Sequence, residues 1–290
     1  MSEQGKVKHV LKLSGDKNSA ALAIYVARKF PEMDIDYFFT DTGKELPEVY
    51  EYLDQLEIVL GKPILQINDR KDFDYWLMQH NNVLPSNERR WCTIRMKLEP
   101  FEKWIKPYLD DGYKIVSYVG VRADELWRDS FRLNDSHKYL EIKMPFVDDG
   151  KDEQDIIDIL DRIGLGLPKF YEWRSGSGCT FCFFQQKIEW VQLMERYPEA
   201  FEEAKYYEKK AQNSDNGEAF FWMDSNEPLE SLEDPARIAQ IKANHKKVQE
   251  RDRKSKRWLG ICAHARLDES IPINVNEWNG SVIIDTECFK

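Results

Sequence analysis

The sequence predicts an α/β fold: a parallel sheet covered by helices on both faces, followed by a mostly helical C-terminal region. Three observations carry that expectation. Short β-favouring runs alternate with helical segments through the first half of the 290 residues. The early runs lead into polar turns, where ligands of parallel sheets gather at strand carboxyl ends. From Asp152 onward the apolar spacing is helical.

Taken in order, Val7 to Leu13 (VKHVLKL) reads as the first strand and enters Ser14-Gly15-Asp16-Lys17-Asn18-Ser19. A helix follows, with Ala20, Ala21, Ala23, Ile24 and Ala27 on its apolar face. Ile35 to Phe39 is the second strand and runs into Thr40-Asp41-Thr42-Gly43. Pro47 opens a helix that extends through Leu60, since proline suits the first helical turn. Pro63 to Ile67 is a third strand, Ile115 to Val119 a fourth leading to Gly120-Val121-Arg122, and Tyr139 to Pro145 returns to the sheet. Helical spacing then covers Asp152–Ile163, Gln186–Arg196, Pro198–Gln212 and Ala236–Arg253, with a loop at Asn213–Gly217. The expected division is a nucleotide-binding α/β domain over 1–170 and a helical region over 171–290. There is no internal repeat.

Composition excludes several classes. A hydrophobic share of 42% with 32% charged residues is globular rather than disordered. Lys+Arg of 42 against Asp+Glu of 52 gives a net charge of −10, with a pI near 5.2. That balance excludes a protein that coats nucleic acid by charge alone. The charge is uneven: residues 195–234 are acidic, whereas 237–257 gather Arg237, Lys242, Lys246, Lys247, Arg251, Arg253, Lys254, Lys256 and Arg257. Such a stretch is a solvated helical face or a local nucleic-acid contact. No apolar run approaches the roughly 18 residues of a membrane span. Met1 to Lys6 is polar, so no secretory leader and no membrane role are expected. The five cysteines, Cys92, Cys179, Cys182, Cys262 and Cys288, are too few and odd in number for a disulfide framework. A cytoplasmic location is the expectation.

The loop from Ser14 to Ser19 carries the first chemistry. A strand–loop–helix of this kind aims backbone N–H groups and the helix dipole at an anion. Lys17 adds a charge, and Ser14 and Ser19 add hydroxyl donors. It is not the Walker spacing. Gly178-Cys179-Thr180-Phe181-Cys182 is a C-x-x-C pair, open by itself to zinc, an iron–sulfur cluster or a redox dithiol. His9, His80, His137, His245 and His264 form no metal-binding spacing.

Four motifs in order carry a family resemblance over about residues 7–185. Ser14–Ser19 resembles the pyrophosphate-binding loop, S-G-G-x-D-S, of N-type ATP pyrophosphatases and their sulfonucleotide reductase relatives. Thr40-Asp41-Thr42-Gly43-Lys44-Glu45-Leu46-Pro47-Glu48 is similar to the D-T-G-x-x-[FL]-P-E of phosphoadenylyl-sulfate reductase-like proteins. Cys92-Thr93-Ile94-Arg95-Met96-Lys97-Leu98-Glu99-Pro100 resembles their C-C/T-x-x-x-K-x-x-P segment. Gly120-Val121-Arg122-Ala123-Asp124-Glu125, with Arg128 and Arg132, resembles their anion-binding stretch, with Trp127 where serine is usual. The loop departs from the pattern at Asp16, where glycine is usual, and at Asn18, where aspartate is usual. Asn18 is a poorer ligand for a hard cation than a carboxylate, which puts full pyrophosphatase activity in doubt unless Asp16 supplies the charge.

The resemblance implies a Rossmann-like sheet of the adenine-nucleotide alpha-hydrolase type. It implies a nucleotide site of Ser14, Gly15, Asp16, Lys17, Asn18, Ser19, Asp41, Thr42, Gly43, Gly120, Arg122 and Arg132, with Lys17, Asp41, Lys97 and Arg122 in catalysis. ATP and Mg²⁺ are the implied cofactors, together with a 4Fe-4S cluster on Cys92, Cys179, Cys182 and a fourth ligand. Cys262 is the choice for that fourth ligand, Cys288 the competitor and His264 an alternative. The overall pattern is most similar to the ATP pyrophosphatases of bacterial DNA phosphorothioation systems (DndC/SspD type), a defence-linked modification. That implies adenylation of a phosphate oxygen for sulfur incorporation, a cysteine desulfurase as donor, and DNA-nicking or DNA-binding subunits as partners. Residues 237–257 are the candidate DNA contact. The alternatives are a phosphoadenylyl-sulfate reductase-like enzyme of sulfur assimilation, with Glu287-Cys288 lacking the usual Gly and His after it, a tRNA thiolase, and a non-catalytic nucleotide-binding subunit.

Overall fold

The computed structural model describes residues 6–125, 140–212, 220–223 and 227–254, with side chains described through Arg251. Two compact units emerge. One gathers the described residues up to Lys71 with those of Cys92–Lys169; the other gathers Asp72–Trp91 with the described residues from Phe170 to Lys254.

The first unit is a five-stranded, wholly parallel sheet. Its strands are β1 (Val7–Lys12), β2 (Ile35–Thr40), β3 (Ile64–Ile67), β4 (Lys114–Tyr118) and β5 (Leu140–Lys143), in the order β3-β2-β1-β4-β5. The chain therefore builds outward from β1 to β3, then crosses to the other side of β1 for β4 and β5. The loops after β1 and β4 flank the switch point, where open parallel sheets bind ligands. Helices α1 (Lys17–Lys29), α2 (Pro47–Leu60), α5 (Glu99–Asp110) and α7 (Glu153–Arg162) belong to this unit, with a short α6 (Pro145–Asp148).

Sequence alternation explains the packing. Val10 is fully buried with Phe38, Ile115 and Leu140 against Leu98, Phe101 and Ile105 of the α5 segment. The rings of Phe38 and Phe101 stack at 5.0 Å. Leu11, the next residue along β1, is also fully buried and by strand geometry faces the opposite side. The helix α5 follows from a feature with no simple sequence signal. A short turn α4 (Trp91–Thr93) runs straight into a π-helical stretch, Ile94–Leu98, before α5 begins.

Glu102 on α5 is half-buried, and its Oε1 has no partner. Burial first, then the neighbouring Glu99, pushes its carboxyl up to about 7. The folded chain thus holds this proton more tightly than the unfolded one. Stability falls as pH rises from the ordinary carboxylate range to about 7. Glu102→Gln is expected to flatten that fall. Urea unfolding at pH 5 and pH 8 checks it; an equal loss in both proteins contradicts the assignment.

The second unit is helical: α3 (Phe73–Gln79), α8 (Lys187–Arg196), α9 (Pro198–Gln212) and α10 (Pro235–Lys254) with 3-10 turns at Lys169–Glu172 and Leu229–Glu233. Its core is aromatic, with Phe73, Trp91, Phe181, Tyr207 and Trp222 in mutual ring contact. Glu208 is buried on α9 and accepts the backbone N–H groups of Trp222 (3.1 Å) and Leu229 (2.7 Å), tying the following segment to the helix. Among the described residues, no helix is long and apolar enough to cross a membrane.

Candidate functional site

The loop after β1 closes on itself. Asp16 caps α1, its Oδ1 accepting the Ser19 N–H at 2.7 Å. Its Oδ2 accepts the Ser14 hydroxyl at 2.8 Å. Ser14 N–H donates to Ser19 Oγ at 3.2 Å. This is ordinary N-cap chemistry, and it commits the Asp16 carboxylate to the loop itself. Gly15 turns the chain with φ +71°, and a Cβ there would sit 2.6 Å from Val49 Cγ1 of α2. The loop needs glycine on both counts.

Gly120, after β4, lies directly against this loop. A Cβ on it would stand 3.1 Å from the Asn18 carbonyl oxygen. The close approach brings the β4 loop beside the start of α1, and with it Arg122. The Arg122 guanidinium is buried and forks onto Asp124, at 2.9 and 3.2 Å, with Glu125 at 3.7 Å. Burial alone lowers its pKa, but these carboxylates, with Glu153, hold it above the ordinary arginine value. Lys17, buried in the first turn of α1, pairs with Glu153 at the start of α7. The other Glu153 oxygen lies 3.8 Å from Arg122. One carboxylate thus bridges the two cations.

The loop after β2 is a second polar cluster. Asp41 Oδ1 accepts the Gly43 N–H and the Tyr50 hydroxyl, each at 2.8 Å. Burial and that bond raise the Tyr50 phenol pKa well above its usual value. Thr42 donates to Glu45 Oε1 at 3.1 Å, and Lys97 Nζ lies 3.9 Å from the same oxygen. Lys97 reaches it from the π-helical stretch.

Of the residues singled out by sequence, Ser14 to Ser19, Gly120 and Arg122 are brought together at the carboxyl ends of β1 and β4. Asp41, Thr42, Gly43 and Lys97 surround Glu45 and Tyr50 at the neighbouring end of β2. Arg132, Arg128 and Trp127 lie outside the described residues. Three participants had no assignment from sequence: Glu153, Glu45 and Tyr50. Glu45 stands inside the quoted Thr40–Glu48 motif, and Glu153 follows the capping residue Asp152. Glu153 meets a partner 136 residues away, which spacing alone does not disclose, whereas Glu45 and Tyr50 bond Thr42 and Asp41 within the same loop and helix start.

The cysteines are differently placed. Cys92 is half-buried in α4, its Sγ 4.0 Å from Thr93 Oγ1. Cys179 and Cys182 are half-buried on a loop of the second unit. Fully buried Arg174 holds that loop through the carbonyls of Ser177 (3.1 Å), Cys179 (2.7 Å) and Thr180 (3.1 Å). Glu189, buried on α8, accepts the Ser175 N–H and hydroxyl and the Gln186 N–H. Cys262, Cys288 and His264 lie outside the described residues. Among the described residues, no group of three or more His, Cys, Asp or Glu gathers as a metal centre. No chemical step is assigned to a cluster.

Residues 8–130 match the phosphoadenosine phosphosulfate reductase domain. An uncharacterized protein of Methanocaldococcus jannaschii is 29% identical over 123 residues, which are 42% of this chain and 24% of that protein. The chain thus spans about a quarter of that relative. An uncharacterized 37.8 kDa protein from the gpa 5′ region of Escherichia phage 186 is 23% identical over 277 residues, 76% of this chain and 80% of the relative. The crystal structure of phosphoadenylyl-sulfate reductase from Candida auris, in a phosphate complex, superposes with a TM-score of 0.45 at 10% identity, covering 59% of this chain and 81% of that one. Residues 8–130 are similar to a phosphoadenosine phosphosulfate reductase domain, and every nucleotide-site candidate except Arg132 falls within them.

Proposed function

We propose that this chain is an adenine-nucleotide enzyme of sulfur chemistry, and specifically an ATP pyrophosphatase that adenylates a phosphate oxygen for sulfur incorporation. The observation that carries the reading is the closed Ser14–Ser19 loop at the end of central strand β1, packed on Gly120 with Lys17 and Arg122 beside it. The similarity of residues 8–130 to a phosphosulfate reductase domain supports the nucleotide class.

In this reaction an acceptor oxygen attacks the α-phosphorus of ATP, pyrophosphate leaves, and a sulfur nucleophile then displaces AMP. The departing pyrophosphate needs a cradle of donors, and the α-phosphate needs positive charge as it becomes five-coordinate. The loop amides and hydroxyls supply the cradle. Lys17 and Arg122 supply charge at one end, and Lys97 at the other. Asp41, held by Gly43 and Tyr50, is an acceptor for the sugar or for a phosphate-bound cation. Mg²⁺ neutralises phosphate charge when it accompanies ATP, and the phosphates themselves are its natural ligands here.

The proposed acceptor is DNA, in phosphorothioate modification, with a cysteine desulfurase upstream and a nicking or DNA-binding subunit as companion. The exposed side chains of Lys242, Lys246, Lys247 and Arg251 on α10 support a backbone contact. A reductase of phosphoadenylyl sulfate is the second reading, favoured by the description of the matching domain. Supplying each nucleotide separately tests the choice. With a dithiol reductant present in both arms, pyrophosphate from ATP is expected, with an equal amount of AMP once water or a sulfur nucleophile displaces it; sulfite from phosphoadenylyl sulfate, with ATP inert, overturns the first reading for the second.

A further inference from the structure

Lys17 and Arg122 are nearly buried, with side-chain exposures of 5% and 11%. Two buried cations side by side are strongly unfavourable without a counter-charge. Asp124 and Glu125 belong to the loop of Arg122 itself. Glu153 differs: it is 136 residues from Lys17 in sequence and reaches both cations. Its placement is built in. It is the first residue of α7, and a reciprocal capping box between Asp152 and Asp155 fixes the helix start around it. Helix α7 packs along α1, whose first residue is Lys17.

A carboxylate with one oxygen bonded to an ammonium and the other 3.8 Å from a guanidinium presents what a phosphate group presents: negatively charged oxygens within reach of both cations. We propose that Glu153 is the resident anion of this site, pairing Lys17 and Arg122 until a phosphate group takes its place. This rests on the reading of Ser14–Ser19 as a phosphate cradle. The consequence is selectivity. An incoming ligand must outcompete a built-in carboxylate, so a pyrophosphate unit succeeds where a weakly charged monophosphate does not. Glu153 is a specificity-determining residue that acts before chemistry, by setting the charge a ligand must bring.

The test is calorimetric binding of inorganic pyrophosphate and orthophosphate to the full chain at fixed ionic strength. Glu153→Gln removes the competing charge and keeps the shape. Its pyrophosphate affinity is expected to rise on the order of tenfold, with a narrower preference over orthophosphate. Glu153→Asp, which keeps the charge on a shorter arm, is expected to fall between, and it decides the matter if the glutamine variant fails to fold. Pyrophosphate binding that is equal or weaker in these variants, while the unaltered chain binds it, overturns this inference alone: Glu153 then holds Lys17 in place rather than competing for it. Pyrophosphate binding to neither the unaltered chain nor a folded variant overturns the cradle reading beneath it.

Discussion

Gly15→Ala is expected to abolish nucleotide turnover and to lower the thermal midpoint by several degrees. Two separate costs coincide at this position. The φ of +71° belongs to the left-handed region, where an L side chain costs about 1–3 kcal/mol. The added Cβ would also meet Val49 Cγ1 at 2.6 Å, well inside contact distance. Either α2 moves away or the loop opens, and opening breaks the Ser14–Ser19 and Asp16–Ser19 bonds that shape the cradle. The two costs separate experimentally. Val49→Ala in the same chain makes room for the Cβ but leaves φ unchanged, so the double variant should regain part of the midpoint and little of the ATP affinity. Unfolding followed by circular dichroism, with ATP binding on the same samples, measures both. An unchanged midpoint with full affinity in Gly15→Ala contradicts the account of the loop.

Arg174→Met should be the most damaging change in the second unit. Arg174 is 1% exposed and donates to three carbonyls of the cysteine loop. Methionine fills much of the volume and satisfies none of them, and stranded buried carbonyls cost about 1–3 kcal/mol each. A total loss of roughly 3–5 kcal/mol is expected, comparable to breaking a buried charged network. Arg174→Lys recovers only part, since an ammonium does not reproduce the guanidinium fork across separate acceptors. The thiols provide an independent readout. Cys179 and Cys182 should react faster with a thiol reagent in the methionine variant under native conditions, because their loop loses its anchor. Stability and thiol reactivity equal to those of the unaltered chain would contradict the anchoring role.

The sheet was legible because each strand is a short apolar run ended by a turn. Val7 to Leu13 and Ile35 to Phe39 map onto β1 and β2 within a residue or two, and the run starting at Ile115 onto β4. Glycines at 15 and 120 marked the site: the turn at Gly15 has no room for a side chain, and the approach at Gly120 is tight against Asn18. What sequence did not disclose is pairing at a distance. Glu153 meets Lys17 and Arg122 because α7 packs along α1, and nothing in the spacing around Glu153 encodes a partner 136 residues away. The π-helical register at Ile94–Leu98 was hidden too, since its hydrogen bonds reach one residue further than those of an α-helix and leave no compositional mark. Asp16, the residue expected to supply the charge that Asn18 lacks, stands three residues before Ser19 and caps α1.

The most direct measurement is pyrophosphate release from ATP with Mg²⁺ by the unaltered chain, run beside Arg122→Met and the Asp16→Gly, Asn18→Asp double variant. The account predicts stoichiometric AMP and pyrophosphate from the unaltered chain and a loss of at least tenfold in Arg122→Met, because the buried guanidinium that the proposed mechanism sets against the phosphates has been removed. No pyrophosphate from either the unaltered chain or the double variant, or undiminished release from Arg122→Met, would contradict it.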